Sequence, residues 1–497
     1  MERSKLTRHA ALAVAAILLQ SLAGCDGDDG GSSDTPLPQH TVTVSGLPSS
    51  ASVTLQNNAG DDLTVSANGT TAFPTNWASS SSYAITVKSH SPAVQCAVSN
   101  ASGSMASAGA DPTVTCGAGT LTAVHSFDST SGMFPEGGLT PDSAGNLYGT
   151  AREGGARYMG TVFKLTPDGN GGYTPTVLHS FTDTDGRNPE AGLVLDGSGN
   201  LYGTTNAGGA HFGGTVFKLA PNHDGSGSYT FTVLHEFGSG LDGQFVLAGL
   251  ALDSDGNLYG VTYEGGANHT GVVFKLVPNS GGYTETVLHE FGSGTDGQSP
   301  RGDLIIDSTG SLYGTTVGGG LYGYGTVFKL TPKNDSSGGY VETVLHSFGS
   351  GTDGQLPQSG LTLDRASNLY GTTFRGGLSG MGTVFMLTPV GGGNYTETVL
   401  YSFSSGSDAQ FPTGSLTIDS AGHLYGTTTG GGAASMGTVF KLASDGSGSY
   451  NASVLYSFTG PNGSNARSGL SLDSAGNLFG STVNGGANGL GAVFKID

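Results

Sequence analysis

Gly360-Leu361-Thr362-Leu363-Asp364, Leu369-Tyr370-Gly371-Thr372-Thr373, Gly382-Thr383-Val384-Phe385-Met386-Leu387 and Tyr395-Thr396-Glu397-Thr398-Val399-Leu400-Tyr401 follow one another in one short span. Each run is rich in Thr, Val, Leu and aromatic residues and is bounded by Gly, Asn, Ser or Asp. That pattern predicts four short strands, a to d. The a–b link, Asp364-Arg365-Ala366-Ser367-Asn368, carries residues that tolerate the positive φ of a tight hairpin.

The pattern recurs on both sides of this span. A Leu-Tyr-Gly signature places its aromatic at Tyr148, Tyr202, Tyr259, Tyr313, Tyr370, Tyr425 and Phe479, in steps of 54, 57, 54, 57, 55 and 54 residues. A second marker, Gly-Thr-Val-Phe or a near variant, places Phe163, Phe217, Phe274, Phe328, Phe385, Phe440 and Phe494. No helical period appears in these units. Four antiparallel strands in each of seven units predict an all-β chain closed into a seven-bladed β-propeller. A β-solenoid would need shorter coils.

The unit boundaries predict how the ring closes. Thr122-Ala123-Val124-His125-Ser126-Phe127 matches strand d but precedes any a, b or c strand, and the last run, Ala492-Val493-Phe494-Lys495-Ile496, is a strand c without its own d. Pairing the two ends removes two open sheet edges, so residues 121–127 are expected beside 491–497.

Ahead of the repeats, Arg3, Lys5 and Arg8 precede an apolar stretch, Ala10 to Leu19, too short to span a bilayer. It ends in Leu22-Ala23-Gly24-Cys25, which resembles the bacterial lipobox. The expected organisation is a lipoprotein signal peptide over 1–24, lipidation at Cys25, a flexible acidic tether over 25–40, a small β domain over 41–118 and the repeats over 119–497. Alternating runs such as Thr41-Val42-Thr43-Val44 and Tyr83-Ala84-Ile85-Thr86-Val87 predict short antiparallel strands forming an immunoglobulin-like sandwich, with Trp77 in its core. Cys96 and Cys116 remain as a pair for a disulfide in an oxidising compartment.

The formal net charge is −20 with scattered Lys and Arg. Such a chain repels nucleic acid and anionic lipid, so no nucleic-acid partner is expected, and contact with the membrane is expected only through the lipid anchor. No P-loop, nucleophile elbow or His-Glu-x-x-His motif is present; no cofactor, metal or catalytic residue is expected.

The units, with Leu-Tyr-Gly-Thr-Thr, Gly-Gly and Gly-Thr-Val-Phe-Lys-Leu-Thr-Pro in order, resemble the GloVer tandem repeat of exported bacterial proteins, across roughly 121–497. The resemblance implies export and anchoring in the cell envelope, facing the periplasm or the cell surface, and brings no catalytic residues. More distantly, Asp-x-x-Gly-Asn-Leu-Tyr is similar to blades of NHL and streptogramin-lyase propellers, but the lyase's catalytic motifs are not recognisable here. The expected function is a binding or scaffold module; the alternatives are a lyase or hydrolase acting on carbohydrate or polymer, and a structural surface-layer protein.

Strand d carries His125, His179, His235, His289 and His346, then Tyr401 and Tyr456, read as hydrogen-bonding groups within each unit. Strand c carries Lys164, Lys218, Lys275, Lys329, Lys441 and Lys495, with Met386 breaking the series, which predicts packed stems with wet heads. Asp-Gly pairs in the d–a loops read as turns, or as single ligands of a Ca²⁺ site. The b–c loops keep their Gly frame while their side chains differ: Arg152, Glu153, Arg157 and Tyr158; His211 and Phe212; Tyr263, Glu264 and His269; Tyr322 and Tyr324; Arg375. This arc is the expected binding surface, for a glycan or protein ligand.

Overall fold

Alternation along each strand decides what is buried. Val53 and Leu55 point inward and Thr54 and Gln56 outward, and the same period recurs in Leu63 and Val65. The computed structural model describes residues 39–497 except 48–50, 59, 77–81, 91–93, 105–111, 119, 336–337, 407 and 445–447. The expected signal peptide, Cys25, most of the tether and Trp77 lie outside the described residues.

The chain is all-β. Its first part contains β1 (Gln39–Ser45), β2 (Val53–Asn57), β3 (Asp61–Val65), β4 (Gly69–Asn76), β5 (Ser82–His90), β6 (Val94–Ser99), β7 (Ser102–Ser104) and β8 (Thr113–Ala118). They form two four-stranded sheets, ordered β4-β1-β8-β6 and β3-β2-β5-β7. Val42, Val44 and Val114 of one sheet and Val53, Leu55 and Ile85 of the other share one core. The expectation of purely antiparallel strands needs correction, because β1 and β8 run parallel. Cys96 and Cys116 face each other across the β6–β8 pair and are joined by a disulfide, which marks a chain that folds in an oxidising compartment.

The remainder forms seven further sheets. In the first, strands a (Thr140–Pro141), b (Leu147–Ala151), c (Thr161–Pro167) and d (Tyr173–Ser180) lie in that order. Strand b is buried along its whole length, which explains its run of small and apolar residues. Strand a forms only two ladder pairs, shorter than the five-residue runs of the sequence suggest. In the fourth and sixth sheets an additional strand, Gly297–Pro300 or Ala409–Pro412, pairs with a lengthened strand b.

Phenylalanines knit neighbouring sheets together. Phe181, just after strand d of the first unit, meets Phe217 in strand c of the second at 5.2 Å, edge to face. The same contact joins Phe291 to Phe328 and Phe348 to Phe385, and Phe237 meets Phe274 at a tilt. Such pairs contribute about 0.5–1.5 kcal/mol each beyond burial. The last sheet takes its outer strand from β9 (Leu121–Ser126), with Val493 opposite His125 and Ile496 opposite Leu121. Phe127 then packs on Phe163 of the first unit in a cluster that includes Phe479 and Val493 of the last. The seventh sheet therefore packs on the first, as the unmatched end strands predict.

Candidate functional site

Where each unit begins, the chain approaches its neighbours most closely. The segments are Pro135-Glu136-Gly137-Gly138-Leu139, Pro189-Glu190-Ala191-Gly192-Leu193, Val246-Leu247-Ala248-Gly249-Leu250, Pro300-Arg301-Gly302-Asp303-Leu304, Pro357-Gln358-Ser359-Gly360-Leu361, Pro412-Thr413-Gly414-Ser415-Leu416 and Ala466-Arg467-Ser468-Gly469-Leu470. A Cβ at Gly302 would lie 2.3 Å from the Ser359 carbonyl oxygen, and one at Gly414 2.3 Å from that of Ser468. Only small residues fit there. Buried Thr150, Thr204, Thr315 and Thr427 donate across the same seam to carbonyls of the next segment at 2.7–2.8 Å.

These segments surround a cavity of about 380 Å³ to which all seven units contribute. The second residue of each segment lines it: Glu136, Glu190, Leu247, Arg301, Gln358, Thr413 and Arg467. Phe374 of a b–c loop and Asn465 of a d–a loop also line it, so it opens on the side where those loops emerge. Below it a narrower chamber continues past Gly138, Gly192 and Gly249, and Asp303 and Ser415 border both spaces.

The charges at this mouth are mostly paired. Arg152 reaches in from its b–c loop to place Nη1 3.4 Å from Glu136 and Nε 3.2 Å from Glu190. Arg467 meets the other oxygen of Glu136 at 3.2 Å. Burial raises the Glu190 carboxyl, nearby Glu136 adds to this, and Arg152 opposes it. Arg301 donates to Gln358 Oε1 at 3.3 Å; among the described residues no ion pair engages it. Asp303 opens onto the cavity but is hemmed in by surrounding protein, and this enclosure raises its carboxyl, partly offset by the Gly249 N–H at 2.6 Å.

The structure divides the expected b–c arc into two groups. Arg152 turns inward to the mouth, and Arg375 lies over the rings of Phe374 and Phe411. Glu153 and Glu264 make backbone bridges to the preceding d–a loop and, with Tyr263, are half-buried. The loop tips lie farther out, beside strand d, where Glu236 and Glu290 accept from the N–H groups of Ala210 and Ala267. Arg157, Tyr158, His211, Phe212, His269, Tyr322 and Tyr324 are exposed there, with Tyr158 and Phe212 about three-fifths open to solvent.

Those tips are strained. Tyr158, Phe212 and His269 hold φ of 59°, 61° and 57°, at the position where Gly323, Gly380 and Gly489 serve other units. A left-handed non-glycine residue costs about 1–2 kcal/mol. Ser435 of the sixth unit holds the same conformation, with φ of 56°.

The strand-d histidines join their sheets to the d–a loops. Nε2 of His179, His289 and His346 lies 3.0–3.1 Å from Asp185, Asp296 and Asp353, and His235 is 3.5 Å from Asp242. Tyr401 bonds Asp408 in the same way. The Asp-Gly pairs are thus loop anchors, and their carboxylates also accept loop N–H groups. Sequence reading missed this pairing. Three glutamates on the neighbouring strand d, Glu285, Glu342 and Glu397, each bury one oxygen without a hydrogen-bond partner. Each is pushed up to about 7, by burial first and then by Asp242, Asp296 and Asp353 respectively.

The strand-c lysines lie over the ring of the Leu-Tyr-Gly tyrosine, at 5.0–5.6 Å in five units. The expected wet head fails at Lys441, which is 2% exposed.

The family model described as the Gloeobacter/Verrucomicrobia repeat matches residues 93–309 and 301–497. Among solved structures, similarity extends to the extracellular domain of a candidate hybrid two-component system from B. thetaiotaomicron, at 12% identity and a TM-score of 0.48, over 76% of this chain and 39% of that one. A candidate 6-phosphogluconolactonase from Bacteroides uniformis is similar at 16% identity and a TM-score of 0.41, over 63% of this chain and 83% of that one. This chain thus spans about two fifths of the first of these proteins and most of the second. No curated protein matches.

Proposed function

The chain belongs to the Gloeobacter/Verrucomicrobia repeat family, and from that premise we propose that it is a cell-envelope lipoprotein acting as a binding module. In this reading residues 1–24 are a signal peptide, Cys25 carries lipid, residues 25–40 are a tether, 41–118 an immunoglobulin-like sandwich and 119–497 a seven-bladed β-propeller. The a-to-d order repeated in seven sheets, and the last sheet completed by β9, support the propeller. The single observation that carries the binding role is the strained presentation of Tyr158, Phe212 and His269, with exposed Tyr322 and Tyr324, on the side where the charged mouth opens.

The ligand is a glycan or protein that spans the b–c tips. Affinity electrophoresis of residues 26–497 in gels containing polygalacturonate or dextran tests the glycan reading. Retardation by one of them, reduced at least fivefold in Tyr322→Ala/Tyr324→Ala with an unchanged melting temperature, is the expected result. Equal retardation of the variant would remove the tips from the binding surface. The second reading, a lyase or hydrolase, is favoured by two raised carboxyls, Glu190 and Asp303, in one cavity. New reducing ends released from polygalacturonate would establish it.

A further inference from the structure

The seven mouth positions are equivalent in the repeat, yet they carry two acids, two arginines, an amide, a hydroxyl and an aliphatic chain. Around them the frame is kept: the segments retain a small third residue, a Gly or Ser in fourth place except for Asp303, and the following Leu, which packs in the core. A structural plug would repeat one residue seven times. Variation concentrated in the side chains that face the cavity is the pattern of an asymmetric ligand.

Which chemistry that ligand carries follows from what the mouth leaves unpaired. Glu136 is held by Arg152 and Arg467, and Glu190 by Arg152 and Asn206, with the charge of Arg301 acting on it from beyond ion-pair distance. Among the described residues Arg301 bonds only the side-chain oxygen of Gln358 and makes no ion pair. A guanidinium carries five N–H donors in a planar fork that matches a carboxylate. Two residues farther along, Asp303 offers a carboxyl whose Oδ1 takes one backbone N–H, at the border of the deeper chamber. It is the only charged residue at its repeat position; the other six are Gly or Ser. Phe374 supplies an apolar ring in the same wall.

We propose that the channel mouth binds a sugar acid: a pyranose-sized ring against Phe374, its carboxylate on Arg301 and a hydroxyl donated to Asp303. Three carboxylates line the same small space, Glu136, Glu190 and Asp303, so a singly charged anion is favoured over a phosphate dianion. The cavity of about 380 Å³ accommodates one or two sugar units. The ligand is either a free sugar acid or the end of an acidic polysaccharide. The proposal rests on the binding-module reading, but it concerns the channel and not the b–c tips.

Titration calorimetry of residues 26–497 with galacturonate, galactose, propionate and inorganic phosphate tests it. Galacturonate binds at least tenfold more tightly than the other three. Arg301→Gln removes that preference and leaves galactose unaffected, Asp303→Asn weakens galacturonate and galactose alike, and Arg365→Gln, in an a–b hairpin, changes nothing. Phosphate or propionate binding as tightly as galacturonate, or full binding by Arg301→Gln, overturns the proposal. The wild-type comparison decides the matter even if a variant misfolds. Binding of trigalacturonate but not of the monomer identifies the polymer end as the source. Retardation by polygalacturonate that is abolished in Tyr322→Ala/Tyr324→Ala, with no galacturonate binding at all, retains the binding module and removes this site.

Discussion

Replacing Glu285, Glu342 and Glu397 together by Gln should make the protein more stable at pH 8 and leave it unchanged at pH 4. Each carboxyl sits at a junction between consecutive sheets beside an Asp already engaged by His, and each is pushed up to about 7. Folding therefore favours the protonated acid. Because the folded value lies above the unfolded one, the stabilisation is complete below about pH 4.5 and is lost as pH rises through about 7. At 1.36 kcal/mol per unit, full burial would give about 3 kcal/mol per site. These side chains are only partly buried, and screening by solvent reduces the figure to about 1 kcal/mol each, or about 3 kcal/mol for three separate junctions. Gln keeps the shape and cannot ionise. Urea unfolding at pH 4, 6 and 8, fitted for midpoint and slope, is the assay. The histidines are common to both proteins, so their titration cancels in the difference. A variant no more stable than wild type at pH 8, or stabilised equally at pH 4, would refute the reasoning.

Three further outcomes are expected. Ser131→Asp together with Asp128→Thr, which copies Thr182 and Asp185 of the next sheet, should stabilise the last junction by about 0.5–1.5 kcal/mol, since among the described residues His125 is the one strand-d histidine without an ion pair and its buried Nε2 has no hydrogen-bond partner; thermal melting checks this. Cys96→Ser with Cys116→Ser should cost about 3 kcal/mol, confined to the first two sheets and visible as an earlier minor transition in calorimetry. Deleting residues 120–128 should lower the main melting transition more than deleting 41–118 does, because β9 supplies the outer strand of the last sheet; equal effects would contradict the closure.

What could be read beforehand follows from what repeats. The Tyr of strand b and the Phe of strand c are large groups in the core between sheets, so their spacing survives in every unit and declares the architecture. β9 was legible because its Val-His-Ser-Phe matches strand d out of order. The channel mouth was not, because residues after the segment's Pro vary, and variation reads as loop noise until the fold turns them toward one axis. The aspartates of the d–a loops looked sufficient as turn residues, and only the ladder brings His179 within reach of Asp185. The b–c loops were recognised as a rim, but sequence spacing alone could not tell the inward reach of Arg152 from the outward tips of Tyr158 and Phe212.

The pairing of β9 with the last sheet bears on the order of events during folding. β9 precedes its partner strand, Ala492–Ile496, by more than three hundred residues, and contacts such as Ser471 Oγ to the Leu139 carbonyl span a similar separation. Until that strand is in place, β9 and the strand Leu478–Thr482 each present a bare edge, the state most open to proteases and to wrong pairing. A chain cut short before Ala492–Ile496 presents the same unsealed edges, whatever the quality of the sheets already made.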